Sequence, residues 1–190
     1  MSKTRLEAFS DGVIAILITI MVLELRPPHA TDFAALRETL PAFLSYVLSF
    51  VYLGIYWNNH HHMLHLTRRV TGGILWANLH LLFWLSLVPF VTAWMGENHN
   101  APEPTALYGV IMVLAAISYT LLQRTIIAQQ ADGAQLAKAI GGDLKGKISI
   151  VCYVVAIPMA LYVDVRIADA LFAAVALTWL VPDRRIERQA

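Results

Sequence analysis

The chain has 190 residues, of which 58% are hydrophobic and only 14% are charged, and its net charge at pH 7 is +1. A soluble domain is about half apolar and about a quarter charged, so this composition excludes water as the main solvent of the fold. The nearly balanced charge also lacks the basic excess that binds nucleic acid. The composition therefore predicts an integral membrane protein.

Six apolar stretches are candidates for membrane-spanning helices, each of which needs about 20 mostly apolar residues. They cover approximately residues 5–25, 33–57, 72–95, 105–128, 147–163 and 167–181. The last stretch is the shortest and would extend only ~23 Å at about 1.5 Å per residue. We expect a single all-α domain over residues 1–190, a polytopic membrane protein with six transmembrane helices.

Proline positions refine these boundaries. Pro27 and Pro28 should stop the first helix, because proline lacks a backbone donor and clashes with the preceding turn. Pro89 and Pro158 lie inside the third and fifth stretches and are predicted to kink those helices.

Basic residues are distributed unevenly between the apolar stretches. With six helices, one side of the membrane would carry eleven lysine and arginine residues and the other side three. The richer side comprises Lys3, Arg5, Arg68, Arg69, Arg124, Lys138, Lys145, Lys147, Arg184, Arg185 and Arg188, and the poorer side Arg26, Arg37 and Arg166. The positive-inside rule then predicts a multi-pass protein of the cell (inner) membrane with both termini in the cytoplasm.

The first helix is predicted to have two distinct faces. On a helical wheel of about 100° per residue, Asp11 lies roughly 140° from Ile16 and must face a different neighbour. One apolar stripe within about 60° of Ile16 comprises Gly12, Ile16, Thr19, Ile20 and Leu23. This periodicity alone favours ordinary apolar packing, with an axial pore as the alternative.

Ionisable residues inside membrane spans are costly unless they face protein or water. Asp11 near the start of the first helix and His60 near the end of the second should lie at a similar depth. We therefore predict a polar network of Arg5, Asp11 and His60, because each of them alone would be a buried polar group without a partner.

The second stretch ends in a histidine cluster that invites a metal interpretation. His61 and His65 have the i, i+4 spacing of a metal clamp, but no glutamate or cysteine completes a site, and no HExxH pattern occurs. Cys152 is the only cysteine, so a cysteine metal cluster is excluded. We expect interfacial polar residues or hydrogen-bond partners here, with no metal and no cofactor.

Two motifs resemble those of a known family. The sequence R-x-x-x-F-S-D-G-V-I-A-I-x-x-T runs from Arg5 to Thr19, and a W-x-x-H pair joins Trp57 and His60. Together they resemble the signature of the transmembrane protein 175 family of potassium channels, in its prokaryotic branch with one six-helix unit per chain. The long motif with W-x-x-H is more specific than the FSD triplet alone, and the six-helix plan extends the resemblance over essentially the whole chain.

The resemblance implies a homotetramer in the lipid bilayer whose first helices line a central pore. It implies a hydrophobic constriction at Ile16, with Thr19, Ile20 and Leu23 further outward. It also implies a structural polar network of Arg5, Ser10, Asp11, Trp57 and His60. The expected function is passive conduction of potassium and other monovalent cations, and no TVGYG filter is present, so side-chain rings such as that of Thr19 would have to select the ion.

Three rival interpretations belong to other classes. A cation- or proton-coupled secondary transporter is the main alternative, but it would usually show discontinuous helices and paired ionisable groups at the midplane, which is almost entirely apolar here. An enzyme is not expected, because no G-x-S-x-G motif or metal-spaced residue set occurs. A non-conducting membrane scaffold remains open, since apolar packing explains most residues.

Overall fold

The structure is a computed structural model that describes residues 2–29, 31–65, 67–130 and 143–180. Over these residues the chain is helical and contains no strand, so the predicted all-α fold is confirmed. The helices are α1 (Lys3–Ile20), continued by a 3-10 turn (Met21–Glu24), α2 (Leu36–His65), α3 (Gly72–Ser86), α4 (Val88–Glu97), α5 (Pro102–Gln129), α6 (Leu144–Tyr162) and α7 (Val165–Leu180).

Five segments are long and apolar enough to cross a membrane. They are Lys3–Glu24, Leu36–His65, Gly72–Glu97, Pro102–Gln129 and Leu144–Tyr162. The sixth predicted span corresponds to α7, which has 16 residues. At about 1.5 Å per residue it covers ~24 Å, somewhat less than the ~30 Å hydrocarbon core of a bilayer.

Two helices differ from the stretches predicted from hydropathy. α2 continues to His65, eight residues past the predicted end at residue 57, because its polar last turns remain helical. The third stretch is divided at Leu87 into α3 and α4. Pro89 lies in the first turn of α4, where its missing N–H costs no helical hydrogen bond, so the predicted kink is a break between two helices.

The core of the bundle surrounds α5. This helix packs along α3 and α6, while α6 packs against α7 and α2 packs against α4. Tyr108, Met112 and Leu122 on α5 are fully buried. α2 and α4 approach closely at Gly96, where a Cβ atom would lie 2.9 Å from Cα of Ala42. A larger residue at position 96 would force these two helices apart.

Interhelical hydrogen bonds link polar side chains inside the bundle. Ser49 on α2 lies 3.1 Å from the Tyr108 hydroxyl of α5, and Thr92 on α4 donates to Ser49 at 2.7 Å. Near the other end, Gln130 accepts hydrogen bonds from the backbone N–H groups of Arg68 and Arg69 at 2.9 and 3.2 Å. The end of α5 therefore fixes the connection between α2 and α3.

α1 lies at the edge of the single chain, against α2 and α3. One face is directed into the bundle through Leu6, Ser10, Ile14, Leu17 and Met21. The opposite face is exposed in the single chain, and it carries the residues considered next.

Candidate pore-lining face and polar network

The apolar stripe of α1 lies outside the core of its own chain. The Ile16 side chain is 59% exposed and Leu23 is 76% exposed, whereas Ile14 on the opposite face is completely buried. All five stripe residues are exposed, namely Gly12, Ile16, Thr19, Ile20 and Leu23. Packing within one chain therefore does not account for this stripe, and its partner must be another molecule, a lumen or lipid.

Gly12 leaves open space beside the stripe. A Cβ atom at this position would meet no atom of the chain within 4 Å, beyond the helix itself. Packing within the chain therefore does not require a glycine here. Small residues on membrane helices commonly allow the backbones of neighbouring helices to approach each other.

Thr19 presents its hydroxyl oxygen on the exposed stripe. The Oγ1 atom donates within its own helix, lying 3.0 Å from the Ala15 carbonyl oxygen and 2.9 Å from that of Ile16. Because the hydroxyl proton is engaged in this way, the oxygen keeps a lone pair available as an acceptor or cation ligand.

The polar residues predicted to form one network form two separate contacts. Trp57 Nε1 donates to Asp11 Oδ1 at 3.0 Å, which joins α2 to α1. His60 Nε2 hydrogen-bonds Asn78 Oδ1 at 2.7 Å, and Asn78 Nδ2 donates to Ser10 Oγ at 2.9 Å. His60, Asn78 and Ser10 are buried, so this second contact joins α1, α2 and α3 inside the bundle.

Two details differ from the sequence-based expectation. Among the described residues, the hydrogen bond of His60 goes to Asn78 rather than to Asp11, and the Arg5 side chain has no hydrogen-bond or ion-pair partner. Helical geometry explains why Arg5 does not join the network, since Arg5 lies eleven residues before Ile16. Eleven residues are about three turns, so Arg5 falls within about 20° of Ile16, on the exposed face.

Asn78 is the network residue that sequence reasoning did not place. A polar residue in a span indicates an interhelical hydrogen bond, but its partners depend on how α1, α2 and α3 meet. With its amide donating to Ser10, its carbonyl oxygen accepts from His60 Nε2. His60 Nδ1 is then buried with no hydrogen-bond partner among the described residues.

Two histidines of the cluster, His61 and His65, stack along α2. The ring of His61 lies between those of Trp57 and His65, with centroid distances of 6.2 and 6.4 Å. No group of three or more histidine, cysteine, aspartate or glutamate side chains converges anywhere in the described part of the chain. The exposed α1 stripe and the hydrogen bonds that join α1 to α2 and α3 form the candidate site.

Fold and site together define a polytopic helical membrane protein with one helix face outside its own core. Residues 5–89 match the family described as endosomal/lysosomal potassium channel TMEM175. A protein of Chryseobacterium sp. (strain P1-3) named a potassium channel is 51% identical over 188 residues, which cover 99% of this chain and 97% of that protein. The chain belongs to the TMEM175 family.

More distant relatives support the same assignment. A potassium channel of Streptomyces collinus is 35% identical over 126 residues, covering 62% of this chain and 61% of the relative. The Bos taurus endosomal/lysosomal proton channel TMEM175 is 30% identical over 158 residues, covering 75% of this chain but 33% of the relative. The chain thus spans about a third of that animal protein.

A solved structure shows the same fold. The crystal structure of a lysosomal potassium-selective channel TMEM175 homolog from Chamaesiphon minutus superposes with a TM-score of 0.81 at 26% sequence identity. The match covers 94% of this chain and 96% of that chain, so it includes nearly every helix described above.

Proposed function

We propose that this chain is one subunit of a passive, potassium-permeable cation channel, and that four copies assemble around a central pore lined by α1. The observation that carries the proposal is the α1 stripe, which is apolar, lies in a membrane span and remains outside the core of its own chain. Lipid contact could also account for an exposed apolar face, but the relatives named potassium channels favour a pore lining.

The proposed pore is closed by an apolar constriction at Ile16. Four copies of this half-exposed side chain around an axis would form a ring that excludes water. A hydrated ion passes such a ring only when it widens. Ile20 and Leu23 extend the same lining outward, and Gly12 leaves room for neighbouring copies of α1 to approach each other.

Thr19 supplies polar atoms to this otherwise apolar lining. Its oxygen lone pairs point away from the engaged hydroxyl proton, so a ring of four Thr19 side chains offers oxygen ligands to a partly dehydrated cation. Removing the hydration shell costs less free energy for potassium than for sodium. We therefore propose a modest preference for potassium, with rubidium and caesium also permeant and with no cofactor required.

The polar network is proposed to be structural rather than conductive. Ser10, Asp11, Trp57, His60 and Asn78 lie between α1 and its neighbours in the same chain. By fixing the rotation of α1, these contacts keep the opposite face directed away from the core. Arg5 lies on the exposed face and is assigned no role in this network.

We propose that the protein lies in the cell (inner) membrane. Both of its termini would then face the cytoplasm. Lys3 Nζ donates to the backbone oxygen of His65 at 2.6 Å, so the start of α1 and the end of α2 lie at one end of the bundle. Gln130 brings Arg68 and Arg69 to the end of α5. Lys138, Arg184, Arg185 and Arg188 lie outside the described residues.

A flux assay tests the proposal. Proteoliposomes loaded with potassium and diluted into a potassium-free buffer should release potassium passively, without a gradient of sodium or protons to drive it. A coupled transporter would stop when the coupling gradient is removed, and a scaffold would give the flux of empty liposomes. Native mass spectrometry of the purified protein should show four chains.

Protons are a second candidate permeant ion, because the vertebrate relatives are named proton channels. The same proteoliposomes can be given a pH gradient without potassium. A proton flux that persists in the presence of impermeant ions would add proton conduction to the proposed function, and an unchanged internal pH would exclude it.

A further inference from the structure

A cavity lies between helices of the bundle, and none of the described residues that line it belongs to α1. Its volume is about 50 Å³, and its walls come from α2, α5, α6 and α7. One water needs roughly 10–15 Å³ measured in this way, so the cavity holds a group larger than a single water. The pore proposed above does not use it.

Among the described residues, the lining of this cavity combines aromatic rings with one carboxylate. Aromatic walls are supplied by Tyr52, Tyr56, Tyr119, Tyr153 and Trp179, and Asp143 is the acidic residue among the described side chains that line the cavity. No lysine, arginine or histidine is among the described residues that line it. An electron-rich aromatic cage beside a single negative charge is the usual environment for an organic cation.

Hydrogen bonds hold the walls in place. The Tyr119 hydroxyl donates to the Asn59 carbonyl oxygen at 3.4 Å, which joins α5 to α2. Trp179 Nε1 donates to Ser149 Oγ at 2.8 Å, which joins α7 to α6. These contacts fix the positions of two walls relative to the neighbouring helices, so a ligand would not have to order them.

One wall already attracts a cation of the protein itself. The Lys145 ammonium lies 5.8 Å from the centroid of the Trp179 ring. This cation–π contact shows that the indole ring stabilises a nearby positive charge. Asp143 accepts a hydrogen bond from the Gly146 N–H at 2.9 Å, and this contact fixes the carboxylate at the start of α6.

We propose that this cavity binds a small organic ammonium ion, held by the carboxylate of Asp143 and the ring faces of Tyr56, Tyr119 and Trp179. A metal cation is a poor fit, because no second acidic, histidine or cysteine side chain joins Asp143 among the described residues that line the cavity. A methylated or alkylated ammonium is weakly hydrated, so its attraction to aromatic faces compensates for the hydration free energy that it loses on binding.

Calorimetric titration of the full-length protein in lipid nanodiscs with tetramethylammonium chloride tests this site. We expect saturable binding that weakens about fivefold in Asp143→Asn. Asparagine caps a helix as well as aspartate does, so this variant removes the charge and keeps the start of α6. Asp169→Asn on α7 is the matched control, because Asp169 does not line the cavity. This variant should bind tetramethylammonium with the affinity of the wild-type protein.

A second pair of variants separates the aromatic cage from folding defects. Tyr56→Leu should weaken binding about as much as Asp143→Asn, whereas Lys145→Met should strengthen it, because a competing positive charge is removed. A gain of affinity cannot come from misfolding. Absence of saturable binding, or equal affinities in the wild-type, Asp143→Asn and Lys145→Met proteins, would overturn the proposal without affecting the proposed pore.

Discussion

Asn78 of α3 donates a hydrogen bond of 2.9 Å to Ser10 of α1, and both side chains are completely buried. The carbonyl oxygen of the same amide accepts a hydrogen bond of 2.7 Å from Nε2 of His60 on α2. One side chain thus connects three helices at the position where α1 turns its opposite face outward. We propose that this contact, together with the contact between Trp57 and Asp11, sets the rotation of α1.

Replacing Asn78 tests how much this contact stabilises the bundle. In Asn78→Leu the volume is similar, but the Ser10 hydroxyl and His60 Nε2 lose their partner inside the bundle. We expect a loss of about 1–3 kcal/mol in the free energy of unfolding, seen as a lower Tm of the purified protein. Asn58→Leu, at an exposed position of α2, is the control. Equal Tm values for both variants would show that the amide is dispensable.

Ile16 is expected to control the leak of the closed channel. Ile16→Asn places a polar ring at the proposed constriction and should raise the basal current, because water enters a polar ring more readily than an apolar one. Ile148→Asn makes the same change at a half-exposed position of α6 and should leave the current unchanged. Whole-cell or bilayer recording measures both, and an unaltered current in Ile16→Asn would refute the constriction.

Thr19 should affect selectivity more than conductance. Thr19→Val keeps the shape and removes the oxygen, so the permeability ratio of potassium to sodium should fall towards one. Thr19→Ser keeps the oxygen and should retain most of the ratio. Reversal potentials in mixed potassium and sodium solutions give the ratios. If serine and valine had the same effect, the hydroxyl oxygen would not be the selective ligand.

Gln130 is predicted to protect the connection between α2 and α3. Its side chain accepts from the N–H groups of Arg68 and Arg69 and donates from Nε2 to the Arg69 carbonyl oxygen at 3.1 Å. In Gln130→Ala, hydrogen exchange of these two amides should accelerate about tenfold, as expected when roughly 1.4 kcal/mol of local stability is lost. Gln123→Ala, elsewhere on α5, should leave their exchange rates as they are.

The sequence predicted the helices better than their ends. Apolar length identified the spans, because each helix must present about 20 apolar residues to lipid. Apolar length alone predicted that α2 ends at residue 57, whereas the helix continues to His65. The polar residues there leave the hydrocarbon region, but nothing in their backbone preferences stops a helix. Hydropathy likewise could not show the break at Leu87, although Pro89 marked its neighbourhood.

The two faces of α1 also followed from the sequence, since helical period alone separates Ile16 from Asp11. The partners of the polar residues did not follow. Asn78 joins Ser10 to His60 because α3 lies between α1 and α2 at that depth, and this depends on packing that no single sequence displays. Arg5 was predicted to join the network because a lone ionisable group inside a span is costly and because it belongs to the motif, although its helical position aligns it with Ile16.

The most direct test of the channel is the reversal potential of the purified protein in a planar bilayer, with potassium chloride on one side and sodium chloride on the other. We expect discrete conductance steps that reverse towards the potassium equilibrium potential. Intact, folded tetramers that give no conductance, or a current that reverses at the chloride potential, would contradict the proposal that α1 lines a potassium-permeable pore.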